Sequence, residues 1–580
     1  MHVVTDTDCP STRAHAPDAR AAEFRQIAAS LGLAYREHGL TPVAHVSYQQ
    51  ALAAGIVALD EALCGFRLAI SPDAAGRSIL LRHQLFGRTD IVVMPPASFR
   101  AMLDAHCRVA IIDHAAHHLP NSRPGQSARQ GLTRGQGSLT AAALALTLAL
   151  LWLSPEIALF ALAIVTMPLF YGLVLIRLGA TIDSQGLPAP TVMRLPDVQL
   201  PIYTVLVPLF REAAVVPQLV QSLLALDYPH PRLDIMILVE EDDPLTATTL
   251  AALALPRHMR VVHVPAGEPQ TKPRALNVGL LQARGDLVAV FDAEDRPDPR
   301  QLRLAANLFH RLPAHVGCLQ GRLVIDNVDD SFLSRMFALE YAGLFDVVNT
   351  GLIRVGLPIL LGGTSNHFRT HLMRRIGGWD AWNVTEDADL SFRLVRNGYI
   401  IRDLPSDTLE EAPAHAGLWF RQRVRWMKGF VQTIVTHTRT PQLMMRETGL
   451  AKGFALLSLC AGTLLSALGY PVFVLATAAS LIIYGMPTPS SAGAMLLITL
   501  WLTLFMAGML AMIAPLVLGA RHRGLQDLWP RLLLAPVYYL LVSAAAWMAI
   551  VEYVRAPSRW NKTEHGLART SRSASRKIRT

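Results

Sequence analysis

The stretch Gly285-Asp286-Leu287-Val288-Ala289-Val290-Phe291-Asp292-Ala293-Glu294-Asp295 decides the fold. Its centre, Leu287 to Phe291, is continuously apolar and β-rich, and it ends abruptly in acids. A strand of this kind is buried on both faces, which calls for a parallel sheet covered by helices. Ligands of such sheets sit at the carboxyl ends of the strands, so Asp292, Glu294 and Asp295 emerge where a ligand would bind. Alternating carboxylates suit a hard cation, Mg²⁺ or Mn²⁺, which also takes oxygens from a substrate's phosphates. The same acids would equally place favourable charge at the N-terminus of the next helix.

Working outward, residues 203–208, 234–239 and 260–264 read as further strands, and residues 213–226 and 272–283 as helices. Alternating strands and helices predict an open parallel sheet across residues 202–440. No G-x-G-x-x-G or P-loop follows any of these strands, which counts against dehydrogenases and P-loop NTPases.

The 580-residue chain is 52% apolar and only 17% charged. The excess is local, in apolar runs at about 139–178, 452–486, 494–519 and 530–552. About 20 apolar residues cross a bilayer, so this is expected to be an integral membrane protein. Ser154-Pro155-Glu156 splits the first run into two helices. A hinge at Gly469-Tyr470-Pro471 divides the second, which gives about four helices over 452–552. Residues 1–20 lack an apolar signal core, so no cleaved signal is expected. Five scattered cysteines have neither metal nor disulfide spacing.

The net charge is +9, and the tail from Arg555 onward carries eight Lys/Arg against one Glu. Beside a membrane helix, such a tail reads as a cytoplasmic anchor to anionic lipids, not as a nucleic-acid site. Residues 1–118 are expected to be a small α/β domain, with helices at 21–33 and 47–63, strands at 66–70, 78–81 and 90–94, and a helix at 98–107. The pattern distantly resembles the N-terminal domain of type II secretion ATPases, and a docking or regulatory module is the expectation. His114, His117 and His118 lack partners at ligand spacing and read as a solvated face. Residues 119–138 form a basic linker without acids, so residues 1–130 are expected to be dispensable for chemistry.

Several motifs in order over residues 202–430 resemble a family 2 glycosyltransferase of the GT-A fold, cellulose-synthase-like. Val207-Pro208-Leu209-Phe210-Arg211-Glu212 resembles the opening strand and turn, with Arg211 in place of Asn. Glu240-Glu241 stands where the family has Asp-Asp, which contacts the uracil and ribose. Lys272-Pro273-Arg274-Ala275-Leu276-Asn277 resembles the Lys…Asn element beside the nucleotide. Asp292-Ala293-Glu294 matches the D-x-D metal motif, with Glu in the last place. Thr385-Glu386-Asp387 matches T-E-D, whose Asp is the family's base. Gln422-Arg423-Val424-Arg425-Trp426 matches Q-x-x-R-W, and Leu360 to Asp387 resembles bacterial membrane glycosyltransferases and phage-adsorption proteins.

The resemblance implies an inverting glycosyltransferase of the bacterial inner membrane, with a cytoplasmic catalytic domain and a Mg²⁺ or Mn²⁺ cofactor. The donor is a nucleotide-sugar, expected to be a UDP-sugar, and the acceptor a growing glycan. A single addition to a lipid-linked acceptor, or an idle membrane scaffold, stays open beside it. Membrane lipids and export partners fit these readings; nucleic acid does not. Asp387 is the expected base, with Glu386 beside it. Asp292 and Glu294 are expected at the metal. Glu212, Glu240, Glu241, Lys272 and Asn277 are expected at the donor, and Gln422, Arg425 and Trp426 at pyrophosphate or acceptor. Residues 331–349 read as an interfacial helix beside the acceptor entrance. Trp560-Asn561-Lys562-Thr563-Glu564-His565-Gly566 loosely resembles the gating loop of cellulose-synthase-like enzymes, with Lys562 and Thr563 able to meet phosphate.

Overall fold

The computed structural model describes residues 21–72, 83, 85–183, 194–485, 492–557, 566 and 568–571. The chain divides into two compact units, Met1–Asp113 and His114–Thr580. In the first, the sheet runs in the order Ala34–Tyr35, Ile91–Val93, Leu68–Ile70, Ile56–Ala58. Its core joins Ala28 and Leu33 to Ile70, Ile91 and Val93. The single helix expected over residues 47–63 is broken. Gly55, at φ 66, ends the helix Tyr48–Ala54 and turns the chain into Ile56–Ala58, which pairs antiparallel with Leu68–Ile70. The strand expected at 78–81 lies outside the described residues.

The second unit is built on an eight-stranded sheet. Its order is Met259–Val264, Leu233–Glu240, Tyr203–Leu209, Leu287–Val290, Asn366–Arg369, Val316–Ile325, Ile400–Glu410, Arg296–Pro297. The first four strands are parallel. All four residues of Leu287–Val290 are buried, as a strand covered on both faces requires. The helix Lys272–Gln282 lies close on one face, where a Cβ at Gly279 would come within 2.9 Å of Leu206 and Leu238. Leu302, Ala305 and Phe309 of the helix Gln301–Arg311 join the core together with Val205 and Ile237 of the sheet.

The sheet is mixed, not wholly parallel. Asn366–Arg369 runs antiparallel to both neighbours. The chain enters this strand from the carboxyl end of Leu287–Val290, where Ser365 N donates to Val290 O at 2.9 Å, so it can only run back. Ser365 makes that reversal with a positive φ of 57. The preceding Gly362-Gly363-Thr364 is thereby laid beside the acidic tip.

Residues 119–138 are ordered against this unit, where a linker was expected. Arg439 donates to the carbonyls of Pro124, Ser127 and Gly131 at 2.7–3.3 Å, and Gln136 Nε2 to Val435 O at 2.9 Å. The stretch has no acids and few apolar residues, and its backbone carbonyls, held by the half-buried Arg439, serve as anchors.

Among the described residues, six helices are long and apolar enough to cross a membrane by length and composition. Arg134–Leu153 and Pro155–Ile182 form the expected first pair, separated by Ser154. The hinge expected near Pro471 is absent from the described residues. Leu450–Leu457, a π turn at Ser458–Gly462 and Thr463–Tyr484 run on as one helix, Pro471 included. Apolar surroundings leave a helix no alternative partner for its backbone, so a proline is accommodated within it. Ala492–His522 then returns the chain, and Arg523 closes on Asp346 Oδ1 at 2.8 Å and Leu323 O at 2.8 Å.

The last long helix, Ala535–Arg555, lies along Ala416–His437. Arg423 meets Tyr538 Oη at 3.0 Å near one end, and Lys428 meets Glu552 at 3.4 Å near the other. Among the described residues of 452–552, three long helices therefore stand where about four were expected. The described tail still returns to the second unit, with Gly566 N on Glu411 at 2.8 Å and Thr570 N on Asp330 at 2.9 Å. The sixth segment, Phe332–Arg354, is mostly buried inside the protein and carries a π turn at Ala342–Val348.

Candidate functional site

A cavity of about 370 Å³ opens at the carboxyl end of the parallel strands. Glu212, Glu240, Lys272, Asp292, Glu294, Glu386, Asp387, Gln422, Arg425 and Trp426 all line it. They come from the turn after Tyr203–Leu209, the end of Leu233–Glu240, the start of Lys272–Gln282, the acidic tip, the start of Glu386–Arg396 and the helix Ala416–His437.

Lys272 is the hub. Its ammonium lies 2.5 Å from Asp292 Oδ1 and 3.6 Å from Glu386 Oε1, and donates to Gly363 O at 2.7 Å. Burial works against this charge, but Asp292 and Glu386 outweigh it and hold the ammonium above the ordinary lysine range. Burial pushes Glu386 up to about 7 against the pull of Lys272. It also raises Asp387, which accepts from Ala388 N at 2.8 Å and feels Lys272 and Arg425.

At the metal-motif end, Asp295 accepts from Asp292 N at 2.7 Å and from the Thr364 hydroxyl, and its Oδ1 is buried without a partner. Burial, reinforced by neighbouring carboxylates, raises Asp295 and Glu410 well above the usual range. This concentration of oxygen donors suits a hard divalent cation. Among the described residues no three His, Cys, Asp or Glu side chains are grouped as a ready-made cage. Asp292 and Glu294 would thus share the ion with a bound ligand's oxygens, as Mg²⁺ sites commonly do.

Two expected donor contacts are placed elsewhere. Asn277 is buried and spends its amide on Ala115 O, Trp379 O and Trp379 N, each at 2.9 Å. It is a brace of the loop leading to Thr385. Glu241 lies at the surface, accepting from Ala266 N at 3.1 Å. Glu240 reaches the cavity but is held by the buried Arg274 at 2.7 Å, while burial pushes it up to about 7. Lys562 and Thr563 lie outside the described residues.

The helix Ala416–His437 is pinned to the Thr385 loop by Gln432 Oε1, which accepts from Val384 N at 2.9 Å, and by Thr433 Oγ1, which accepts from Asn383 at 3.1 Å. Trp426 gives one face to Arg423, whose guanidinium also sits over Phe337 and Trp419 and pairs with Glu340. Arg423 was not singled out from the sequence, although it lies inside Q-x-x-R-W. Glu410, Thr364, Arg177 and Asn349 were also missed as site residues, whereas Asp295 was already read at the acidic tip. On its other side the cavity passes Tyr341, Leu344 and Val348 and reaches Leu173, Arg177, Leu459, Leu516 and Val542 on the long apolar helices.

Residues 201–429 match the family described as Glycosyltransferase like family 2. The Beta-monoglucosyldiacylglycerol synthase of Trichormus variabilis is 30% identical over 238 residues, covering 40% of this chain and 50% of that protein. The Poly-beta-1,6-N-acetyl-D-glucosamine synthase of Staphylococcus aureus is 27% identical over 234 residues, covering 39% and 54%. The chain thus spans about half the length of the curated relatives it matches. A solved mannosyltransferase from Pyrobaculum calidifontis, in complex with GDP-Man and Mn²⁺, aligns with a TM-score of 0.41 and 18% identity, over 68% of this chain and 98% of that one.

Proposed function

We propose, from the match of residues 201–429 to Glycosyltransferase like family 2, that this protein transfers a sugar from a nucleoside-diphosphate donor to a hydroxyl of a membrane-borne glycan, with inversion at the anomeric carbon. The observation that carries this reading is the single cavity running from Asp292 and Glu294, past Asp387, to the membrane helices. A soluble acceptor would need no such passage. The relatives whose names specify a product make a glucosyldiacylglycerol and a polysaccharide of N-acetylglucosamine.

In this mechanism the acceptor oxygen bonds to C1 as the bond from C1 to the diphosphate breaks. The hydroxyl proton passes to Asp387, and the nucleoside diphosphate leaves. A base so placed contributes about 10²–10⁴-fold. Attack from the side opposite the leaving group inverts C1. Lys272 is poised to move from Asp292 onto the diphosphate, and Arg425 and Gln422 face the same space. A divalent cation held by Asp292 and Glu294 would neutralise charge on the departing diphosphate. The catalytic unit then faces the cytoplasm of a bacterial inner membrane, where nucleotide-sugars are made, and the basic tail lies on that side.

The test is incubation of the purified full-length protein in lipid nanodiscs with a panel of radiolabelled UDP- and GDP-sugars and Mg²⁺ or Mn²⁺. Label entering a polymer or a lipid-linked glycan supports the reading and selects the acceptor. Intact donor under every condition would refute it.

A further inference from the structure

The membrane end of the cavity holds two polar groups that nothing in the fold satisfies. Arg177, on the helix Pro155–Ile182, lines the cavity, and its Nε is buried without a hydrogen-bond partner. No carboxylate pairs with it among the described residues, although most buried or half-buried arginines of the catalytic unit are ion-paired. Asn349, on the helix Asn349–Arg354, lines the same cavity at 4% exposure, and its Nδ2 donor is also unmet. These two helices are in tight contact, since a Cβ at Gly351 would lie 2.1 Å from Ala180 O. Leu173, Leu344, Val348 and Leu516 supply apolar wall beside them.

A cation within an apolar helical segment that faces the interior is costly without an anion, and it marks a ligand path. A guanidinium with its Nε unmet, on a helix packed against the one that carries an unmet amide donor, matches phosphate oxygens. The surrounding leucines match an alkyl chain. We propose that Arg177 and Asn349 form a phosphate subsite that holds the headgroup of the lipid carrying the acceptor glycan. The inference rests on the membrane-borne acceptor of the proposed function and specifies its chemistry, a phosphate-bearing lipid in place of a neutral one. A guanidinium at a helix end also reaches bulk headgroups by snorkelling, and the test separates that case.

The full-length protein in phosphatidylcholine nanodiscs is titrated with farnesyl phosphate and with farnesol, which share a chain and differ only in phosphate. Farnesyl phosphate is expected to bind about tenfold or more tightly, the range for charged hydrogen bonds. Arg177→Met should remove most of that preference, Arg177→Lys should keep part of it, and Asn349→Leu should weaken it without touching a charge. If Arg177→Met fails to fold, Asn349→Leu and Arg177→Lys decide. Equal binding of the two probes, or an undiminished preference in the folded variants, would overturn the subsite and leave Arg177 a bulk-headgroup contact. Displacement of farnesyl phosphate by inorganic phosphate alone would also overturn it, in favour of a free-anion site. Nucleoside-diphosphate binding is measured in the same discs. Its absence beside an intact phosphate preference would sink the transferase reading only, while its presence without the preference would sink only the subsite.

Discussion

Ser127 donates its hydroxyl to Asp380, Oγ to Oδ1, at 3.0 Å, across more than 250 residues of sequence. The same carboxylate accepts from Ala128 N at 2.6 Å and from Trp382 N at 3.2 Å, and Trp382 Nε1 donates to Ala116 O at 2.9 Å. Residues 114–131 are thus a strap across the loop that delivers Thr385-Glu386-Asp387. They belong to the catalytic unit, so the dispensability expected for residues 1–130 does not extend to them. Asp380→Ala leaves buried donors unmet at about 1–3 kcal/mol each. It is expected to lower kcat by about tenfold or more while donor Kd changes little, and Ser127→Ala should do the same more weakly. Steady-state kinetics beside nucleotide titration check it. A pure loss of donor affinity would count against the strap.

Asp387→Asn keeps the side chain's size and removes its basicity. Transfer is expected to fall about 10²–10⁴-fold, with nucleoside-diphosphate affinity near wild type. Single-turnover rates and equilibrium titration on one preparation suffice, and a variant retaining most of its turnover would remove Asp387 from the role of base.

Asp292 is paired with Lys272 at 2.5 Å, so the acidic tip is held ready and partly neutralised before any donor arrives. Chelator is expected to abolish transfer, and Asp292→Ala to lower it about a hundredfold or more. Mn²⁺ binding in the presence of nucleoside diphosphate, followed by electron paramagnetic resonance, should weaken in the same variant. Full turnover in excess chelator would exclude the cation from the mechanism.

Burial raises the Asp387 carboxyl above its ordinary value near 4. Because the base works deprotonated, activity is full above the folded pKa and is lost as pH falls through it. The acid limb of kcat/KM should therefore lie above the usual aspartate range. Glu386, pushed up to about 7, feels the Asp387 charge, so the limb reports the pair. Arg425 favours the charged form of Asp387, so Arg425→Gln should move the limb to higher pH. A limb that stays put or moves down would refute that coupling.

The parallel half of the sheet was legible because burial on both faces leaves continuous apolar runs such as Leu287 to Val290. The antiparallel strand Asn366–Arg369 was not, because its four polar and aromatic residues carry no alternation. Its direction is imposed by a hydrogen bond to Val290 and by the positive φ at Ser365. Asp292, Glu294, Glu386 and Asp387, singled out by their motifs, line one cavity, while Glu410 beside them carries no motif. Asn277 was misplaced because its partner, Ala115 O, is a backbone atom 162 residues away, and backbone carbonyls leave no mark in a sequence. Arg177 and Asn349 were invisible for a related reason: Arg177 is a single polar residue in an apolar run, and Asn349 gains a role only when the two helices are brought together.

Gly429 is the point where the helix carrying Gln422, Arg425 and Trp426 touches the loop carrying the base. A Cβ there would lie 1.9 Å from Thr385 Oγ1, 2.4 Å from its Cγ2 and 2.6 Å from its Cβ. Thr385 is buried and branched at Cβ, so it has no flexible end to swing aside. Gly429→Ala must therefore separate helix and loop, straining the bonds from Gln432 to Val384 N and from Asn383 to Thr433. Displacements of this order at a reacting pair cost about a hundredfold in rate. Alanine otherwise favours a helix over glycine by about 1 kcal/mol, so the expected loss of kcat runs against the local propensity gain. Gly417 supplies the control, on the same helix with nothing within 4 Å of a Cβ built there. Gly417→Ala should leave turnover unchanged, and Gly429→Ala should lower it while donor affinity holds. Equal kinetics for the two variants would show that the contact between Gly429 and Thr385 does not set the position of the base.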